Sequence, residues 1–163
     1  KKPCIVDASA FLPVINGIMT ITDLPETCIL TPHYGEFSKL FNISLDDLKD
    51  DPVGSCSTVI KMLNGRTLVL KGPATLIIDS GGNIIFDHSG DPILATAGTG
   101  DVLAGIISGF LVQGYTPLDA VLCGVRIHAE SAQLFMKEYG NFGLMAKDLI
   151  HRIPNAITYF VQC

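Results

Sequence analysis

TLVLKG, residues 67–72, is apolar without interruption from Leu68 to Leu70 and ends abruptly on Lys71-Gly72. A strand with one face in water alternates apolar and polar side chains. An unbroken apolar run suits a strand covered on both faces, as in a parallel sheet lying between helices. Two earlier runs have the same character: CIVD (4–7), which ends on a carboxylate, and CILT (28–31). Downstream, TLIID (75–79) and NIIF (83–86) flank Ser80-Gly81-Gly82, the pattern of a β-hairpin near a sheet edge.

Helical patterns fall between and after these runs. Residues 35–41 predict a short helix after TPHYGE. Ser44 caps a second over 44–49, with Asp46 and Asp47 in its first turn. Residues 53–64 predict a third, closed by Asn64-Gly65. The strongest pattern is 101–113, where Val102, Leu103, Ile106, Ile107, Phe110 and Leu111 recur at helical spacing and Gly114 stops the run. Thr116-Pro117-Leu118-Asp119 then supplies an N-cap, a proline at the first helical position and an acid at the third, opening a helix that runs to about Tyr139. A last helix is expected over 146–152, ahead of Pro154. The class is therefore α/β, with the sheet ending before Asp101.

The chain has 163 residues, 48% hydrophobic and 17% charged, which suits one packed domain over 1–163. Its net charge is -5, without a run of Lys or Arg, so nucleic acid is not an expected partner. No apolar run reaches membrane-spanning length. The five cysteines, Cys4, Cys28, Cys56, Cys123 and Cys163, include no pair at CxxC spacing. That argues against zinc and a disulfide framework and for a reducing, cytoplasmic compartment. The chain opens on a strand after only three residues without a signal-peptide pattern, and an upstream segment is expected.

Chemistry concentrates in three places. In Ala97-Gly98-Thr99-Gly100-Asp101, glycines precede a helix start, where unpaired backbone N–H groups and a dipole of about half a positive charge favour an anion. A carboxylate there does not help bind the anion, but it can take a proton from a hydroxyl beside it. The combination fits a hydroxyl activated for attack on a terminal phosphate. Asp is equally an ordinary first-turn residue, and no lysine follows to make a Walker loop. In VLKGPAT (69–75), Lys71 stands at the carboxyl end of a buried strand, where open α/β sheets bind ligands. It can pair with a phosphate, or simply be solvated. In LTPHYGEFSKLF (30–41), His33, Gly35 and Glu36 follow another strand end, and Glu36 is equally an N-terminal helix acid. Asp7 also ends a strand and shares the rim. Several polar groups at strand ends and a helix start are harder to dismiss jointly than singly. His128 reads as a satisfied helix histidine.

Together, LTPHYGEFSKL (30–40), LVLKGPATLI (68–77), LATAGTGDVLAGIISGFLVQG (94–114) and GLMAKDLIHRIPNAI (143–157) resemble the successive motifs of the nucleotide-dependent NAD(P)H-hydrate dehydratases, in the ribokinase-like superfamily. The resemblance implies a three-layer fold with a mostly parallel sheet flanked by helices, of which several N-terminal βα units would be missing here. It implies transfer of a terminal phosphate from ADP or ATP to the hydroxyl of hydrated NADH or NADPH, followed by elimination of phosphate. TAGTGD (96–101) is similar to bacterial forms, which implies ADP. Asp101 would be the base, and the amides of Gly98, Thr99 and Gly100 would stabilise the moving phosphoryl group. Lys71, Gly72, Pro73, Ala74 and Thr75, with Gly100, would contact the nucleotide, and His33 through Glu36, with Asp101, would line the hydrate pocket. Mg²⁺ would accompany the phosphates, and a homo-oligomer, a tetramer, would be expected. The chain departs from the family at Tyr34, where Pro is frequent, and at Ser9, where a second Asp is. A ribokinase-like vitamin-precursor kinase and a non-catalytic adenylate-binding fragment are the alternatives.

Overall fold

The computed structural model describes residues 2–161 and divides into two compact units, Lys1–His88 and Ser89–Cys163. Cys163 lies outside the described residues.

The first unit carries a five-stranded sheet in sequence order: β1 (Cys4–Val6), β2 (Cys28–Leu30), β3 (Thr67–Leu70), β4 (Thr75–Ile78) and β5 (Ile84–Asp87). β1, β2 and β3 are parallel, with Cys4 opposite Cys28 and Leu30 opposite Leu68. β4 and β5 are antiparallel additions, and the β4–β5 hairpin lies at the sheet edge as its Ser80-Gly81-Gly82 turn predicts. Every residue of β2 and β3 is buried, as unbroken apolar runs require. TLVLKG is cut shorter than expected. β3 ends at Leu70, and Lys71 forms only an isolated bridge to His33.

Between β1 and β2 lie a 3-10 turn (Ala8–Phe11), the short α1 (Leu12–Ile15) and a second 3-10 turn (Ile21–Asp23). Between β2 and β3 lie α2 (Tyr34–Phe41), α3 (Leu45–Asp50) and α4 (Pro52–Leu63). Ser44 caps α3 by accepting from the Asp47 amide, as expected, and Asn64 closes α4 in the left-handed conformation. Phe37, Phe41, Leu48, Cys56, Val59 and Leu63 from these helices pack with Leu30, Leu68, Leu70, Leu76 and Ile78 of the sheet.

The second unit is helical: α5 (Thr99–Val112), α6 (Pro117–Tyr139) and α7 (Ala146–Val161), after a 3-10 turn at Pro92–Leu94. Thr116 caps α6 through Asp119. Two helix boundaries differ from the sequence expectation by more than one residue. α5 begins at Thr99 rather than Asp101, because Gly98 takes a left-handed φ of 86° and forms the N-cap itself. α7 continues through Pro154 to Val161 instead of ending at 152. A proline inside a helix forfeits one hydrogen bond. Here Leu149, Ile153 and Ala156 keep the helical spacing across it and belong to the unit's apolar core, so packing outweighs the break.

Candidate functional site

At the carboxyl ends of β1–β3 the sheet gathers Asp7, His33, Glu36 and Lys71. The Lys71 amide donates to Pro32 O at 2.8 Å, which ties the two strand ends together. Its Nζ donates to Asp7 Oδ1 at 2.7 Å, with the two side chains 22% and 15% exposed. The strand-end lysine is therefore neither solvated nor alone. It is paired with the carboxylate that closes CIVD. His33 is the N-cap of α2: its Nδ1 accepts from the amides of Gly35 at 3.0 Å and Glu36 at 3.2 Å. An accepting Nδ1 places the ring proton on Nε2. Glu36 Oε2 in turn accepts from the His33 amide at 2.9 Å, completing a capping box. Both side chains thus have structural employment, and the His33 ring remains more than half exposed at the rim.

Tyr34, outside the residues singled out for chemistry, lies against the next motif. A Cβ added to Gly72 would sit 2.3 Å from Tyr34 Cε1, so the ring covers the backbone of the turn that carries Lys71, Gly72, Pro73, Ala74 and Thr75. Burial, and then the neighbouring Cys56, raises the Tyr34 phenol above its ordinary range. The sequence signal was Tyr34 itself, a departure from the resemblance: a ring placed there needs a partner without a side chain, which Gly72 provides.

In the second unit the start of α5 has the features an anion site needs. The Thr99 amide reaches Thr96 O at 3.3 Å, while the amides of Gly98, Gly100 and Asp101 have no backbone acceptor among the described residues. Thr99 is buried, with Oγ1 at 2.6 Å from Leu94 O and 2.8 Å from Thr96 O, which anchors the turn. Asp101 is the third residue of the helix and is exposed. It stands in line with Gly105 and Gly109, and the three border a groove of about 640 Å³ whose opposite wall is Ile150, Ile153 and Ile157 of α7. The carboxylate thus meets a largely apolar trough. His128, set aside from sequence as a helix histidine, is buried with Nε2 2.9 Å from Thr99 O. Its partner could not be read from the sequence because it is a backbone atom 29 residues away.

No group of three or more His, Cys, Asp or Glu side chains is arranged to hold a metal among the described residues. No helix among them is long and apolar enough to cross a membrane.

A family described as NAD(P)H-hydrate dehydratase matches residues 1–155. The bifunctional NAD(P)H-hydrate repair enzyme of Dictyoglomus turgidum is 35% identical over 163 residues, covering 99% of this chain and 31% of that protein. Among solved structures, the ADP/ATP-dependent NAD(P)H-hydrate dehydratase of Bacillus subtilis, co-crystallised with ATP/Mg²⁺, superimposes with a TM-score of 0.85 at 31% identity, over 97% of this chain and 55% of that one. A ribokinase-like superfamily protein of Enterococcus faecalis gives 0.81 at 28% identity, over 96% and 52%. The chain spans about a third of the first relative and about half of the two structures. The fold is α/β and ribokinase-like, the glycine-rich helix start and the strand-end rim fall within the matched residues, and the chain belongs to the NAD(P)H-hydrate dehydratase family.

Proposed function

We propose that the protein containing this chain restores NADH or NADPH from its hydrate, using ADP or ATP as phosphoryl donor. The observation that carries this is the first turn of α5, where amides without backbone acceptors stand beside the exposed Asp101 carboxylate at the head of an apolar groove. In this scheme Asp101 accepts the proton of the ring hydroxyl as its oxygen attacks the terminal phosphorus. The bond from that phosphorus to the bridging oxygen breaks, leaving AMP from ADP or ADP from ATP. The Gly98 and Gly100 amides stabilise the equatorial oxygens, with the Thr99 amide, held at 3.3 Å from Thr96 O, shared between that carbonyl and the phosphoryl group. The ring carbon–oxygen bond then breaks as a neighbouring carbon loses a proton, giving inorganic phosphate and the dihydronicotinamide.

Segment 71–75, with Gly100, serves the nucleotide, and the exposed His33 ring, the Glu36 segment and Asp101 serve the hydrate. Lys71 meets the nucleotide only by sharing its proton donors with Asp7. Mg²⁺ enters with the phosphates, whose oxygens and waters supply most of its usual ligands, and no step above depends on a protein metal site. The family match across 1–155 supports treating both units as parts of one domain. Free thiols at Cys4, Cys28, Cys56 and Cys123 support a cytoplasmic setting, and a homo-oligomer is the expected assembly.

The test is the full-length protein mixed with hydrated NADH, ADP or ATP, and Mg²⁺. Absorbance of the reduced nicotinamide should return with release of free phosphate, and Asp101→Asn should abolish this while nucleotide still binds. A stable phosphorylated product would make the protein a kinase instead. Nucleotide binding without turnover would make it a binding module.

A further inference from the structure

We propose that His128 is a positioning residue for the phosphoryl-binding turn, acting through the peptide unit that joins Thr99 to Gly100. It rests on the proposed role of the Gly98, Thr99 and Gly100 amides. A carbonyl oxygen only accepts, so the 2.9 Å contact to Thr99 O is a hydrogen bond donated by Nε2–H of a buried imidazole. Thr99 O and the Gly100 amide belong to one rigid plane, with C=O and N–H pointing in opposite directions. Fixing the carbonyl therefore aims the amide. A hydrogen bond accepted by that carbonyl also polarises the peptide and makes its N–H a stronger donor. The Gly100 amide has no backbone acceptor among the described residues, which leaves it available to a ligand oxygen.

The surroundings are built for this reach. Gly124 precedes His128 by one turn of α6, and a Cβ there would lie 2.5 Å from Ile107 Cγ1 and 3.5 Å from the Ile107 backbone. The missing side chain lets α6 approach α5 closely enough for an imidazole to bond a backbone atom. Thr99 is held from its other side by Oγ1 near Leu94 O and Thr96 O. The turn that aims the Gly100 amide is thus clamped by a hydroxyl and an imidazole, and Asp101 follows directly on it.

The experiment uses the full-length protein and three variants. His128→Gln retains a donor at similar reach, His128→Leu retains volume without a donor, and Asp101→Asn is the reference for the phosphoryl-transfer role. Kinetics are read as kcat and KM, and the free proteins are compared by the amide nitrogen and proton shifts of Gly100 and the carbonyl shift of Thr99. Removing a preorganised donor costs roughly 100-fold or more in kcat, so weakening one should cost about 10-fold. Leu should show that loss with KM for the hydrate little changed, together with displaced Gly100 and Thr99 signals, and Gln should restore both. If the Leu variant does not fold, His128→Asn, whose amide is too short to reach Thr99 O, replaces it. A Leu or Asn variant with undiminished kcat, or unmoved Gly100 and Thr99 signals, overturns the proposal. If Asp101→Asn keeps its turnover, the phosphoryl-transfer role fails instead, while the shift comparison still decides whether His128 aims the peptide.

Discussion

A methyl group at Gly72 should be harmful only while Tyr34 is present. The added Cβ would lie 2.3 Å from Tyr34 Cε1, 2.9 Å from Cζ and 3.1 Å from Cδ1. Comfortable carbon contacts begin near 3.5 Å, so ring and turn must part by roughly 1 Å. Tyr34 is the first residue of α2, whose start is pinned by the His33–Glu36 capping box, so the ring moves mainly by leaving its rotamer. Overpacking of this kind costs about 1–3 kcal/mol, and the exposed turn at Gly72 can yield, so Gly72→Ala should cost about 1–2 kcal/mol.

In a Tyr34→Ala background the same substitution meets no ring. Gly72 does not adopt the left-handed conformation, so alanine is tolerated there. Its lower unfolded-state entropy should then stabilise the protein by about 0.4–1 kcal/mol. The effect therefore changes sign between the two backgrounds, a coupling of about 1.5–3 kcal/mol. Urea unfolding of the four proteins in the cycle measures it. Additivity within about 0.5 kcal/mol would show that Tyr34 does not cover Gly72. The same cycle read by nucleotide affinity should show Gly72→Ala weakening binding only in the presence of Tyr34, if 71–75 serves the nucleotide.

His33→Ala should cost about 1 kcal/mol through loss of the α2 cap, and His33→Asp, also a capping residue, should recover the stability. Hydrate KM measured on both variants separates capping from substrate contact, since a pure cap leaves the Asp variant with the parent KM. Burial pushes the Cys56 thiol from 9.0 up to about 12, and the Cys28 thiol likewise to about 12, by burial first and then by the hydrogen bond with Cys4. The unfolded chain loses these protons first as pH rises. Stability should then be flat below about pH 9 and fall by about 1.4 kcal/mol per pH unit for each thiol until its folded value is reached. Cys56→Ala should remove one thiol's share of that slope, and stability unchanged up to about pH 10 would contradict the burial of both groups.

β2 and β3 were legible because burial on both faces leaves nothing but apolar residues to read, β4 and β5 through the glycine turn between them, and Thr116 and Ser44 announced their helices through capping chemistry that is local in sequence. What escaped was non-local. Arg66 is 2% exposed, and its guanidinium donates to Leu63 O, Asn64 O, Thr22 O and Leu24 O, two of them more than 40 residues away. A charge held by main-chain oxygens has no sequence signature. His128 is the satisfied helix histidine the sequence suggested, but its partner, Thr99 O, escaped for the same reason, and Lys71 was weighed as a solvated cation because nothing in VLKGPAT announces Asp7. Pro154 misled in the opposite direction. It is a local signal to stop, overruled by Leu149, Ile153 and Ala156, whose packing is worth more than one hydrogen bond.

The Asp7–Lys71 pair also bears on where an anion would find its positive charge. At 2.7 Å, with both side chains mostly covered, Lys71 is largely neutralised by its partner, so a phosphate approaching it must share Nζ with a carboxylate. The whole chain carries -5, which adds to the cost of bringing a phosphate to this rim. Under the proposed function, recognition of the polyphosphate would rest on its accompanying Mg²⁺ and on backbone amides, whose strength depends on orientation rather than on net charge. On that proposal, Gly98 at φ 86°, a conformation that favours glycine, and the buried threonine and buried imidazole committed to one turn of α5 would serve to aim those amides.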